Sequence, residues 1–452
     1  VIAVVAEPRS VDALVAEIGS TTTVVSAFEG LAPNSTLPPR LIGQGVAPTS
    51  VAQGDVGIGV EAARAELEAA TGPLRPEATF ATSSAAGGLR MTVHGLTRKM
   101  TAMAAREAAL GAGGVVEFQT AGRLTENDLV RIDEADPSLI LLAGGVEGGD
   151  TETVLFNAAR LAELTVRPIV VYGGNSDVSA EVRTYLENAG FRVRVTANVY
   201  PGIDELDILP ARAVIHDAFE EHIVHAPGME RIAEFVTGRI LPTPGAVLIA
   251  AELLAAAIGD LVVVDVGGAT TDVHSVTDGS PEMAAISTEP QPRSKRTVEG
   301  DLGTFVSARH VAALIDEAHR PEFLPPAIPA SPEEIAAAAL LARTATVAGI
   351  ERHAGRLTHL YTPKGRQTVA RGRDLTACRL VIGTGGALTR LPGGEEMLRA
   401  ALAPATGGER LLPPAGAVCA LDRDYLLACC GALSTSFPAD RLVALMRGSI
   451  GL

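Results

Sequence analysis

Two carboxylates and a glycine pair stand close together in residues 261–276, LVVVDVGGATTDVHSV. The apolar run Leu261–Val264 reads as a buried strand that delivers Asp265 to its C-terminal end. Gly267 and Gly268 let the chain turn tightly and bring backbone N–H groups close to phosphate oxygens. Thr270 and Thr271 add hydroxyl donors, and Asp272 adds a second carboxylate. Val273–Val276 then returns as a strand, so the motif is a hairpin loop and not a strand-to-helix loop. Carboxylates beside a backbone phosphate cradle suit a hydrated Mg²⁺ nucleotide, because Mg²⁺ keeps waters and takes few protein ligands. DVGG alone is an ordinary tight turn; the whole run carries the nucleotide reading. No GxxxxGK[ST] occurs, which excludes a P-loop NTPase.

Other polar residues admit more than one reading. Glu299 and Asp301 lie in VEGDLG, either a capped turn before a helix at 304–315 or a loop near a nucleotide. Ser83 and Ser84 precede Ala85-Ala86-Gly87-Gly88, a tight structural turn, an anion nest or a partner-facing turn. His216, His222 and His225 fall on one helix end, but no carboxylate or Cys completes a metal set there. His274, on the strand after the Asp265 loop, reads as a packed or partner-facing residue rather than a base. Cys378, Cys419, Cys429 and Cys430 form no CxxC pair, and the last two sit in the apolar run LLACCGAL as buried thiols.

Strand-like and helical patterns alternate almost throughout, which predicts an α/β fold. Residues 12–18 (DALVAEI), the polar turn Gly19–Thr23, and Val24–Phe28 predict a second hairpin. Helices are expected at 61–71, 243–257 and 333–343, and another buried strand at 378–382, ending in Gly383. Residues 137–197 predict a βαβαβ unit with right-handed crossovers and a parallel sheet.

The chain has 452 residues, too many for one ordinary core, which favours two domains. Apolar residues make up 47% and aromatics 3%, so small side chains favour close helix-on-sheet packing. A net charge of −16 disfavours nucleic acid and anionic membrane as main partners. The basic cluster Arg293, Lys295 and Arg296 reads as a solvated loop. No long apolar run predicts a membrane span, and no signal-peptide pattern opens the sequence. With its cysteines, that predicts a cytoplasmic protein.

The Asp265–Asp272 loop resembles the second phosphate loop of the actin-like ATPase superfamily, which includes sugar kinases, heat-shock chaperones and actin. The resemblance implies two ribonuclease H-like lobes with ATP and Mg²⁺ in the cleft between them. It puts the first lobe at 12–245, with a subdomain near 137–200, and the second at 246–452. It makes Glu17, Gly19, Ser20, Thr21 and Thr22 the first phosphate loop. VIGTGGALTR (381–390), with Gly383, Gly385 and Gly386, becomes the adenosine loop. Asp265 and Glu17 would be the metal-side carboxylates. Asp265, Asp272 and Glu17 would be the catalytic set. Gly267, Gly268, Thr270, Thr271 and Glu299 would line the nucleotide.

The blocks SSAAGGLRM (83–91), LILLAGGVEGGD (139–150), GDLVVVDVGGATTDVHS (259–275) and KRTVEGDLG (295–303) narrow the likeness. They resemble the MutL family of accessory proteins encoded beside adenosylcobalamin-dependent mutases, glutamate mutase and ornithine aminomutase among them. This implies a reactivase-like, weakly hydrolysing ATPase whose partners are mutase subunits, and it leaves homo-oligomers open. Two departures stand out. Glu17 replaces the usual Asp, and Val24 occupies a position often basic in the superfamily. Loss of that cation bears on phosphoryl transfer more than on binding. An ATP-dependent hydantoinase- or acetone carboxylase-like subunit and a non-catalytic nucleotide sensor are the alternatives.

Overall fold

A computed structural model describes residues 7–85, 89–363, 365–402 and 409–452. The Ala86-Gly87-Gly88 part of the proposed nest lies outside the described residues. In chain order the strands are β1 (Arg9–Ile18), β2 (Thr22–Glu29), β3 (Arg40–Pro48), β4 (Leu74–Ser83), β5 (Leu89–Gly95), β6 (Gly114–Ala121), β7 (Leu139–Leu142), β8 (Ile169–Tyr172) and β9 (Arg192–Val195). They continue as β10 (Ile240–Pro242), β11 (Leu261–Val266), β12 (Thr271–Val276), β13 (Ser294–Glu299), β14 (Arg356–Thr362), β15 (Gly365–Arg371), β16 (Leu380–Thr384) and β17 (Val418–Leu421).

The chain divides into two compact units. One holds residues 1–86, 226–288 and 296–452; the other holds 87–225 and 289–295. The 245/246 lobe boundary read from the sequence falls in the first turn of the helix Thr243–Ile258, inside the larger unit.

The larger unit contains two sheets of the same design. The first has the order β10-β4-β1-β2-β3 and the second β13-β12-β11-β16-β17. In each, an antiparallel hairpin (β1–β2, β11–β12) supplies the central strand and one neighbour, and a parallel strand (β4, β16) joins the hairpin's first strand on its other side. Numbered within each sheet, both orders are 3-2-1-4-5. That duplicated order is the ribonuclease H-like arrangement expected from the sequence, and the actin-like α/β fold follows from it. Hairpins form because Gly19 and Gly267 sit between runs of Val, Ile and Thr, which favour the pleated backbone.

One apolar core joins the two sheets. Ala13, Val15 and Phe28 of the first and Leu261, Val263 and Ile382 of the second share a cluster with the helices Thr243–Ile258 and Leu427–Leu433. Small residues permit that approach: a Cβ on Gly431 would stand 1.9 Å from the Ala246 carbonyl oxygen. The far face of the second sheet is covered by the helix Pro332–His353, which runs ten residues past its sequence-predicted end at 343. Its N-terminus is a Ser331/Glu334 capping box.

The smaller unit is a parallel sheet ordered β6-β5-β7-β8-β9. β7, β8 and β9 are adjacent and parallel, with helices between them, over the stretch that reads as βαβαβ. The two loops at the heart of the nucleotide reading belong to the other unit.

Candidate functional site: two hairpin turns and their carboxylates

The two hairpin turns close alike. Gly19 N–H donates to the Thr22 carbonyl at 2.9 Å, and Gly267 N–H donates to the Thr270 carbonyl at 2.9 Å. The turns are neighbours: a Cβ on Gly268 would lie 3.9 Å from Thr21 Cγ2. Each is fixed from behind. Thr49 Oγ1 donates to the Gly19 carbonyl at 2.8 Å, and Thr49 N–H donates to the Thr21 carbonyl at 3.0 Å. Phe305 and Val306 N–H donate to the Gly268 carbonyl at 2.9 and 2.8 Å. Gly303 makes this staple possible, since a Cβ there would meet the Ala269 carbonyl oxygen at 2.2 Å. With the carbonyls held on that side, the amides of Gly268 and Ala269 have no hydrogen-bond partner among the described residues. Ser20 is exposed, while Thr21, Thr22 and Thr270 are half-buried. Thr271 is buried and donates to the Leu302 carbonyl at 2.7 Å.

Glu17 is 4% exposed near the end of β1. Tyr425 Oη donates to its Oε1 at 2.7 Å, while its Oε2 is buried with no hydrogen-bond partner among the described residues. An unsatisfied buried carboxylate oxygen is costly and asks for a proton, a donor or a cation. Burial pushes the Glu17 carboxyl up to about 8, with the Asp265 and Asp422 charges adding to the rise and Tyr425 and Arg390 opposing it. Burial likewise pushes Asp265 up to about 7, helped by the Asp272 and Asp422 charges and opposed by Arg296. Gly385 touches this carboxylate. At φ +83° it takes a conformation that favours glycine, and a Cβ there would sit 2.4 Å from Asp265 Oδ1. The second and third glycines of the predicted adenosine loop differ accordingly, because a Cβ on Gly386 would meet open space. Gly383 faces the core instead, where a Cβ would crowd Leu421, Leu388 and Leu398 at 2.9–3.1 Å.

Asp272 and Glu299 have protein partners. Arg296, 1% exposed, donates from Nε to Asp272 Oδ1 at 2.8 Å. The solvated-loop reading of the basic cluster is therefore corrected. Arg296 is on β13 and buried against a carboxylate, and Lys295 Nζ lies 2.8 Å from the buried Glu107 in the smaller unit. Arg352 donates to Glu299 at 2.8 Å and to both oxygens of Asp301 at 2.6 and 2.9 Å, which ties the VEGDLG turn to the long helix. His274 is buried within β12. His216 bonds the Ala112 carbonyl at 3.1 Å in the smaller unit. All four cysteines are free and buried.

Sequence reasoning missed two groups here. Asp422, 1% exposed, accepts from Thr384 Oγ1, Ser449 Oγ and the N–H groups of Leu426 and Leu427 at 2.7–3.0 Å. Burial nevertheless raises its carboxyl above the usual range. Its signal was an Asp closing the short apolar run AVCALD, the pattern that flagged Asp265. Tyr425 had no sequence signal. It holds φ +56°, uncommon for a bulky residue, and reaches Glu17 from 408 positions away.

The MutL protein family matches residues 13–447. The chain belongs to that family. Protein MutL of Clostridium tetanomorphum is 39% identical over 397 residues, spanning 81% of this chain and 85% of that protein. The family resemblance read from the four sequence blocks is thus borne out. Among solved structures, nucleotide-free acetone carboxylase aligns over 93% of this chain and 70% of its own, at 12% identity and a TM-score of 0.40. A glycerol dehydratase reactivase aligns over 86% of this chain and 95% of its own, at 11% identity and a TM-score of 0.31. Both are distant likenesses. Among the described residues, no helix of this family member is long and apolar enough to cross a membrane.

Proposed function

We propose that this chain is an ATP- and Mg²⁺-binding accessory protein that serves an adenosylcobalamin-dependent mutase, acting as a reactivase-like, weakly hydrolysing ATPase in the cytoplasm. Membership of the MutL family supports the accessory role. The observation that carries the nucleotide reading is the buried, unpartnered Glu17 Oε2 beside the raised carboxyl of Asp265, under two turns of like geometry.

The donor set fits Mg²⁺. Hard oxygen ligands are present, and burial, with neighbouring carboxylates adding to it, disfavours their charged forms, a cost that a bound cation would relieve. Glu17 and Asp265 would hold the ion's shell, and the bound ion would offset phosphate charge. The amides of Gly268 and Ala269, unpartnered among the described residues, would serve as phosphate donors. Thr270 Oγ1 donates to Asp272 Oδ2 at 3.2 Å, and Arg296 fixes the same carboxylate, so Asp272 orients the turn. Gly385 lets the adenosine loop lie against Asp265. Glu299, held by Arg352, supports the β13 end beside the second turn. Both sheets share one core, so closure around a nucleotide would bias a single two-state element and, through it, partner affinity.

The test is calorimetric titration of ATP with and without Mg²⁺, followed by capture of the cognate mutase with ATP, with ADP and without nucleotide. Mg²⁺-dependent ATP binding and nucleotide-dependent capture are expected. A wild-type chain that binds no ATP ends the nucleotide reading. A mutase that is never captured ends the accessory reading.

A further inference from the structure

The hairpin β14–β15 carries an unusual charge arrangement. No Asp or Glu occurs between Arg352 and Arg373, in a chain of net charge −16. Arg356 and Arg371 are directly opposite each other across the hairpin. Arg410 pairs with Arg356 from the other side in an antiparallel bridge. Arg371, Arg356 and Arg410 therefore form a row across three chain segments, with neighbouring Cα atoms about 5 Å apart as in any ladder. All three are exposed, and none has an ion-pair partner among the described residues. The nearby acid, Glu409, lies 3.8 Å from His359 Nε2, and His359 belongs to the opposite face of the hairpin.

Like charges directly opposite in a ladder destabilise it. The row thus costs the free protein stability, and among the described residues no carboxylate offsets that cost; Arg410 Nη1 donates one long hydrogen bond, 3.4 Å, to the Ala354 carbonyl. We infer that this arginine row is a docking surface for an acidic face of a partner protein. Planar guanidinium forks suit carboxylates, which they can meet two bonds at a time. The exposed row offers no buried polar group to hold a small anion by itself, so the ligand must span several arginines. A nucleic acid fits less well, because its long polyanion would also meet the field of a strongly acidic chain. A second copy of this chain brings the same net repulsion. Exposed ion pairs are individually weak, so the row acts collectively and chiefly on encounter and orientation. This inference is independent of whether the chain binds ATP.

The test uses the full chain and a fluorescent oligo-glutamate probe, with oligo-dT of equal charge and inorganic phosphate as competitors. The triple variant R356Q/R371Q/R410Q is compared with a control, R75Q/R98Q/R309Q, that removes the same charge from other exposed sites. The wild type and the control should bind oligo-glutamate at low ionic strength with a steep salt dependence. The triple variant should bind about tenfold more weakly or worse. Its thermal midpoint should also rise, because the like-charge row is relieved. Equal binding by the triple variant overturns the inference. So does a lowered midpoint, which would show that the arginines hold the fold through more than the Arg410–Ala354 hydrogen bond, or oligo-dT binding at least as tightly through the same arginines.

Discussion

The hairpins β1–β2 and β11–β12 are the same device built twice, and they differ in how each treats its charge. Glu17 stands opposite Val24, and Asp265 stands opposite Asp272. The stretches EIGSTTTV (17–24) and DVGGATTD (265–272) therefore occupy equivalent positions, residue for residue. In the second hairpin the opposite-strand carboxylate is neutralised internally by Arg296. In the first the opposite position is Val24, no arginine hydrogen-bonds Glu17 among the described residues, and Glu17 is left with a tyrosine hydroxyl and one bare oxygen. The opposite-strand carboxylate of the second turn is thus satisfied without a ligand, while the bare oxygen of the first asks for a proton, a donor or a cation. Val24, which looks in sequence like a missing base, has Asp272 as its counterpart and is buried in the sheet.

The largest expected effect comes from breaking the second hairpin's internal pair. Arg296→Ala leaves Asp272 buried without its cation and should cost about 3–5 kcal/mol in chemical unfolding. The double variant Arg296→Met with Asp272→Asn should recover most of that loss. If Arg296→Ala alone is as stable as wild type, the two hairpins do not differ in the way described.

Asp265→Ala should lower Mg²⁺-dependent ATP hydrolysis about a hundredfold or more while the chain stays folded by circular dichroism. Glu17→Ala should lower it less, because its carboxylate is already shared with Tyr425. Equal losses would make the two turns functionally symmetric. Near-normal turnover by Asp265→Ala would remove that residue from the site.

A smaller effect separates two adjacent glycines. Gly385→Ala strains a positive φ and pushes on Asp265 Oδ1, so ATP affinity should fall about tenfold, roughly 1.4 kcal/mol. Gly386→Ala enters open space and should change affinity by less than about twofold. A reversed order, measured by titration, would place the nucleotide on the Gly386 side of the loop.

The pH dependence should differ in sign between the two compact units. Glu17 and Asp265 are raised to about 8 and 7 from ordinary values of 4.5 and 3.8, so the folded state binds more protons than the unfolded chain across that window. Their contribution is fully present below the ordinary values and is lost as pH rises to about 8. In the smaller unit, burial lowers His94 from 6.5 to about 3, with Thr92 and Thr120 at 2.9 Å from its ring nitrogens. That contribution is complete above 6.5 and is lost as pH falls towards 3. Hydrogen exchange across pH should show the β11 region loosening at high pH and the β5 region at low pH. Glu17→Gln should stabilise the unliganded chain at pH 8 by on the order of 1 kcal/mol. Loosening of both regions at the same end of the range would contradict the assignment.

The sequence by itself determined the two hairpins, the parallel βαβαβ stretch and the family, because these rest on local order: apolar runs, glycines at turns and long contiguous blocks. It exposed Asp265 for the same reason, a carboxylate at the end of a buried strand. It did not determine which carboxylates are already satisfied. Arg296 looked like part of a solvated cluster because its neighbours in the chain are polar, yet β13 carries it beside Asp272. Tyr425 and Asp422 come to the site only because the helix Leu427–Leu433 packs in the core shared by the two sheets. Burial and pairing are properties of neighbours in space. The free oxygen of Glu17 and the unpaired arginine row of β14–β15 were therefore decided only when the strands found their register.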